Sequence, residues 1–150
     1  MNEQEGSMAD VEHYKAMEAA LRERGVRITR QRQAILSVLS EARDHPDANE
    51  LLIRASAIDP SVSLSTIYRT LTVLEENGVV QRLNFEGVPA KFETTDAPHH
   101  DHIIDVETGD VIEFRSDKIE KLQAEIAAEL GYEIVHHRLD LYAKRLGKTK

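Results

Sequence analysis

The chain has no cysteine among its 150 residues. That absence excludes disulfides, thiolate zinc sites and cysteine nucleophiles together. Any metal must be held by nitrogen and oxygen. The chain also lacks a run of about 18 apolar residues, so no transmembrane helix and no membrane partner are expected. The opening stretch, Met1 to Asp10, is polar and acidic and lacks the apolar segment of a secretory signal. The cytoplasm is therefore the expected location. No internal repeat and no low-complexity segment is evident.

What is present is unevenly charged. The formal net charge of -8 argues against a protein that coats nucleic acid indiscriminately. Yet five arginines and one acid fall between Arg22 and Arg32, while ten acids and three bases fall between Glu93 and Glu125. The first half can meet phosphate and the second can attract cations, or the two are simply differently charged solvated surfaces.

Apolar spacing organises the chain. After a loose tail, Val11, Tyr14, Met17, Ala20 and Leu21 predict a helix from Ala9 to about Arg24, stopped by Gly25. Thr29 caps a second helix with Ile35, Leu36, Val38 and Leu39 inward. Asp44-His45-Pro46-Asp47 reads as a break. A third helix over 48–57 buries Leu51, Leu52 and Ile53 and ends at Asp59-Pro60. Ser63 or Ser65 caps a fourth, running to Asn77-Gly78, with Leu64, Ile67, Leu71 and Leu74 on its apolar face. The period then changes. Val79–Phe85 and Val88–Thr94 predict two strands joined at Glu86-Gly87. Beyond the linker Ala97-Pro98 come a strand over 102–106, a turn, a strand over 111–114, a helix over about 116–130 ended by Gly131, and a last strand from Tyr132 to Tyr142. The fold class is α+β: a winged helix-turn-helix, a DNA-reading module, over 1–95, then a small α/β domain over 99–146.

The fourth helix is the candidate recognition helix. A recognition helix reads base edges with its N-terminal residues. Here Ser63, Ser65 and Thr66 can donate to phosphate, Tyr68 can meet a thymine methyl and Arg69 can grip a guanine edge. Arg27, Arg30 and Arg32 stand where they can meet phosphate or enter a minor groove. Each residue also has an ordinary explanation, as a cap, a half-buried ring or a solvated charge. The wing that follows them favours DNA.

The run His99-His100-Asp101-His102 concentrates three imidazoles and a carboxylate. On a strand, successive side chains alternate between faces. His100 and His102 therefore share one face, and His99 and Asp101 the other, so the run can serve two sites. The order His99-x-Asp101 with a distant His137 also matches a facial-triad iron oxygenase, although such an enzyme needs a larger barrel than the remaining residues allow.

Ser65-Thr66-Ile67-Tyr68-Arg69-Thr70-Leu71, Phe92-Glu93, the His99–His102 run and Gly109-Asp110-Val111-Ile112-Glu113-Phe114, in this order and spacing, resemble the ferric uptake regulator family. The resemblance covers about residues 12–146. It implies a homodimeric transcriptional regulator, mainly a repressor and not an enzyme. Such a protein binds a pseudo-palindromic double-stranded operator when Fe(II) or Mn(II) is held, as a dimer or as a tetramer of two dimers, and its second domain, here 99–146, dimerises and binds metal. It further implies a regulatory site at the hinge between domains, matching His45, Glu93, His100, His102 and Glu113. A second site matches His99, Asp101, Glu120 and His137. The family's DNA-contacting positions match Arg27, Tyr68 and Arg69. The chain departs from the many members with two CxxC pairs. The first pair would fall at Asp105 and Thr108, so a structural four-cysteine zinc is not expected. Zinc can still occupy a nitrogen–oxygen site in vitro, and a zinc-responsive regulator or a small non-haem iron enzyme stands as the alternative.

Overall fold

The computed structural model describes residues 3–96 and 98–147, with side chains from residue 8 onward. The chain divides into two compact units, Met1–Ala97 and Pro98–Lys150.

The first unit holds four helices and a two-stranded sheet: α1 (Glu3–Glu23), α2 (Arg30–Glu41), α3 (Ala48–Ile58), α4 (Leu64–Glu76), β1 (Val80–Leu83) and β2 (Lys91–Thr94). Each of α2 to α4 starts at a side-chain cap that satisfies an orphan amide. Thr29 accepts from Arg32 N, Asp47 from Glu50 N in a reciprocal capping box, and Ser63 from Thr66 N. Gly78 follows α4 at φ 71°, a left-handed conformation that costs glycine nothing and turns the chain into β1. The core gathers Leu21 of α1, Ile35 and Leu36 of α2, Leu51 of α3, Ile67 and Leu71 of α4 and Phe92 of β2. Burying a side chain of this size contributes about 1.5–3 kcal/mol over leaving it in water.

Several expectations need correction in this unit, among them Leu64, expected on the apolar face of α4 but 37% exposed. The helix expected from Ala9 begins at Glu3. The sequence before Ala9 carries no apolar period to detect. Ile53 is 72% exposed and Leu52 only half-buried, so Leu51 alone of that trio is core. Consecutive helical residues point about 100° apart, and three in a row cannot share one face. The wing strands are shorter than expected, leaving a longer connection over 84–90.

The second unit is a three-stranded sheet in the order β4-β3-β5 with one helix. Its elements are β3 (Asp101–Asp105), β4 (Val111–Phe114), α5 (Asp117–Glu129) and β5 (Asp140–Ala143). β4 is antiparallel to β3, and β5 is parallel to it after the α5 crossover. The strand expected from Tyr132 is confined to Asp140–Ala143. Strand-forming residues need a neighbour for their backbone groups, and residues 132–138 lie outside every ladder described in this chain. Ile104 is fully buried, but the other buried positions on β3 are Asp101, His102 and Asp105. No residue of α5 is buried, and Leu122 and Ile126 of that helix and Leu130 at its C-cap are exposed.

Candidate metal centres and nucleic-acid interface

In the second unit, β3 carries donors on both faces. Asp101 is fully buried and turned to one side, where it meets His99, Glu120 and His137. His99 arrives just before the strand, Glu120 from the first turn of α5, and His137 from the segment leading into β5. His99 Nε2 lies 3.3 Å from Asp101 Oδ1 and 3.4 Å from Glu120 Oε2. His137 Nε2 lies 3.5 Å from each of the same two oxygens. Four ligands about 2.0–2.1 Å from a common centre stand roughly 3.3–3.4 Å apart when tetrahedral. These four separations match ligands around one small divalent ion, and all four atoms lie within 4.8 Å of one another. Both Asp101 oxygens and Glu120 Oε2 are buried and receive no hydrogen bond. Buried carboxylates in that condition are costly unless a cation neutralises them. The donor set therefore fits a metal. It also differs from a facial triad, because Glu120 adds a fourth protein donor and takes one of the positions an oxygenase would keep open.

On the opposite face of β3, His100 and His102 stack edge to face with ring centroids 4.8 Å apart. His100 Nδ1 lies 2.9 Å from the Pro98 carbonyl, which only accepts, so in the neutral ring this nitrogen carries the proton and Nε2 the lone pair. His102 Nδ1 lies 3.2 Å from Asp140 Oδ1, with the same consequence. Glu113 is the register partner of His102 on β4 and comes within 3.7 Å of His100, on the Nδ1 side of that ring. Asp140 was missed by sequence reasoning. Its signal was the parallel pairing of β5 with β3, which places it opposite His102.

The first unit contributes a separate pair. His45 is buried, and its Nε2 is 3.1 Å from Glu93 Oε1. The loop before α3 is laid along β2, where Phe92 N donates to Pro46 O at 2.9 Å and Asp47 bridges to Lys91. On the other side, Arg54 of α3 binds both Asp44 oxygens, at 3.0 and 2.7 Å. That grip holds the Asp44 carboxyl below its ordinary range, the guanidinium hydrogen bond being the main cause. Glu93 Oε2 accepts from Gln81 Nε2 of β1 at 2.7 Å, so the pair is tied into the wing.

The expected DNA-reading residues lie on α4 and before α2. Tyr68 is 48% exposed, and Arg69 and Ser65 are exposed beside it. Ser63 caps the helix and shares hydrogen bonds with the Ser65 hydroxyl at 3.2 Å and the Thr66 hydroxyl at 3.0 Å. Thr66 departs from the expectation. It is buried, and its hydroxyl faces Ser63 and the Arg69 guanidinium, at 3.4 Å, rather than a phosphate. Arg27 is exposed, and its carbonyl accepts from Arg32 Nη1 at 2.7 Å, so Arg32 braces the approach to α2. In the wing, Arg82 is paired with Glu75 at 2.9 Å and lies over the Phe92 ring. That pairing locks the wing to the end of α4.

Residues 23–142 match the Ferric uptake regulator family. The chain belongs to that family. The ferric uptake regulation protein of Brucella abortus biovar 1 (strain 9-941) is 60% identical over 129 residues, spanning 86% of this chain and 92% of the relative. A solved zinc-bound manganese uptake regulator, 45% identical, superposes with a TM-score of 0.77 over 87% of this chain and 98% of its own. The Vibrio cholerae ferric uptake regulator, whose structure is reported to reveal rearrangement of its DNA-binding domains, superposes with a TM-score of 0.75 at 38% identity, over 84% and 97%. As a member of the ferric uptake regulator family, the protein is a metal-responsive transcriptional regulator. No described helix is long and apolar enough to cross a membrane.

Proposed function

We propose that the protein is a homodimeric, cytoplasmic repressor of iron or manganese uptake genes. It grips a pseudo-palindromic operator when Fe(II) or Mn(II) is held by His45, Glu93, His100, His102 and Glu113. The observation that carries the reading is the division of β3, with Asp101 buried toward one set of donors and His102 toward another. The first face supplies His99, Asp101, Glu120 and His137, a self-contained tetrad fit for a resident ion. The second supplies histidines from the second unit, while His45 and Glu93 supply a buried pair from the first. A metal that needs donors from both units favours one relative placement of them, and affinity for the competent form sets how far the population shifts. The first unit, with Arg27, Ser63, Ser65, Tyr68 and Arg69, reads DNA, and the second dimerises.

Dimerisation is supported by the bare face of α5. Gln123, Ile126, Ala127, Leu130, Tyr132 and Ile134 line a shallow apolar depression, and the short second unit buries little apolar surface of its own. A second copy placed about a two-fold axis covers the same face on both partners. Without cysteine no four-thiolate zinc can brace this unit.

The metal itself follows from donor chemistry and supply. Imidazole and carboxylate accept Fe(II), Mn(II) and Zn(II) alike. The test is operator binding by gel shift, using duplexes the protein selects from a random pool. It is titrated with Fe(II) under anaerobic conditions, with Mn(II) and with Zn(II), against a chelated control. Affinity should rise with metal. Equal affinity in chelator and in excess metal would sink the reading.

A further inference from the structure

We propose that Asp140 is a positioning residue for metal capture by His102, and that Arg138 holds Asp140 to that task. The inference rests on the reading of His100 and His102 as ligands. His102 and Asp140 are register partners on the parallel pair β3–β5, so their side chains leave the sheet on the same face. Asp140 Oδ1 is 3.2 Å from His102 Nδ1, and the two side chains are 16% and 5% exposed. The other carboxylate oxygen accepts from Arg138 Nε at 2.6 Å. A carboxylate only accepts, so in the neutral ring the proton is fixed on Nδ1 and the lone pair on Nε2. The same charge makes the imidazole a stronger donor and holds the ring plane.

The two histidines on this face are supported differently. His100 Nδ1 is held by the neutral Pro98 carbonyl at 2.9 Å, with Glu113 farther away at 3.7 Å. His102 is held by a charged group built into the sheet. Arg138 gives the carboxylate a second, cationic partner on its other oxygen. That keeps Asp140 from swinging round to become a ligand itself. Asp140 thus sets the orientation and basicity of His102 without touching the metal.

The experiment titrates Co(II) into the apo full-length protein, following visible absorption, for the wild type, Asp140→Ala, Asp140→Asn, His100→Ala and His137→Ala. His100→Ala identifies the band of the face carrying His100 and His102, and His137→Ala that of the other face. Asp140→Ala should weaken the first band's affinity about 10–100-fold while leaving the second unchanged. Asp140→Asn, which keeps an acceptor but no charge, should fall between wild type and alanine. In the metal-free protein, 15N-edited imidazole spectra should show His102 as the Nδ1–H tautomer in the wild type and as a mixture in Asp140→Ala. Wild-type affinity and an unchanged tautomer in Asp140→Ala overturn the proposal. So does equal weakening of both bands with a lowered Tm, which marks Asp140 as merely structural. If His100→Ala removes no band, the ligand reading itself has failed and the proposal falls with it. That result is distinct from a band that His100→Ala removes and Asp140→Ala leaves intact.

Discussion

His45 Nε2 meets Glu93 Oε1 at 3.1 Å, joining the loop before α3 to the second strand of the wing. Two donors from separate elements are thus already side by side, and both belong to the scaffold that presents α4. The loop is fixed to β2 through the Pro46 carbonyl and to α3 through Asp44 and Arg54. Glu93 is fixed to β1 through Gln81. A cation bound by this pair is therefore mechanically continuous with the wing and the helices, without passing through a flexible segment of either.

Replacing His45 with alanine, or Glu93 with glutamine, should remove the metal dependence of operator binding while leaving weak, salt-sensitive binding to any duplex. The second component comes from phosphate contacts and needs no metal. Gel shifts with Mn(II) and with chelator measure both. If His45→Ala still binds its operator more tightly with metal than without, the pair is not part of the sensor.

The tetrad on the other face of β3 should behave as a stability site. Its buried carboxylates have no hydrogen bonds to replace the cation, so metal bound to the folded state alone should raise Tm. Asp101→Asn removes the charge at little change in volume. The metal-induced rise in Tm should shrink sharply in Asp101→Asn and in His137→Ala, while metal-free Asp101→Asn should melt no lower than the metal-free wild type. Scanning calorimetry with Zn(II) and with chelator decides this. An undiminished rise in Asp101→Asn would remove the tetrad from consideration as a metal site.

The division of donors between two faces was legible because a strand alternates with period two, so four consecutive residues announce their own partition. The helices from α2 to α4 were legible from caps and apolar spacing, with Ser63 and Thr29 where the caps were expected. Asp140 was not legible. Its value depends on a parallel pairing across a helix crossover, which no local pattern records. Thr66 was misread because a threonine at a helix start looks the same whether it faces solvent or the core, and only the packing beside Ile67 and Thr70 decides. The stretch from Tyr132 reads as strand by composition, yet composition cannot say whether a neighbouring strand exists to pair with it.

Arg69 should carry sequence discrimination. It is exposed one residue from Tyr68 on the outer face of α4, with its guanidinium steadied by the Thr66 hydroxyl. Arg69→Ala should cost about 1–3 kcal/mol on the selected operator if the contact is a bidentate base contact, and much less on unrelated duplex. Competition binding at fixed salt separates the two. An equal loss on both duplexes would make Arg69 a phosphate contact.

The bare α5 face should hold the dimer. Ile126 is 48% exposed and Leu130 71% within one chain. Ile126→Glu places a charge where a second copy would pack, which costs several kcal/mol if that surface is desolvated. Analytical ultracentrifugation should find monomer for Ile126→Glu and dimer for the wild type. Dimer in both would move the interface elsewhere.

Asp105 should make the second unit acid-sensitive in a defined direction. Its Oδ1 accepts from Glu107 N at 2.8 Å and Thr108 N at 3.2 Å, while Oδ2 pairs with Arg145 at 3.4 Å. The Glu107 amide above all, with the Thr108 amide and the Arg145 charge, holds the carboxyl below its ordinary range. A carboxyl depressed in the folded state stabilises that state above its unfolded pKa of about 3.9, and the stabilisation is lost as pH falls through the folded value. The stability difference between wild type and Asp105→Asn should therefore be constant near neutrality and shrink only once pH drops below about 4. Urea denaturation in chelator at a series of pH values measures it. A difference that instead shrinks between neutrality and pH about 5 would belong to a histidine, the group that titrates there, and would leave the turn at Asp105 without a part in acid stability.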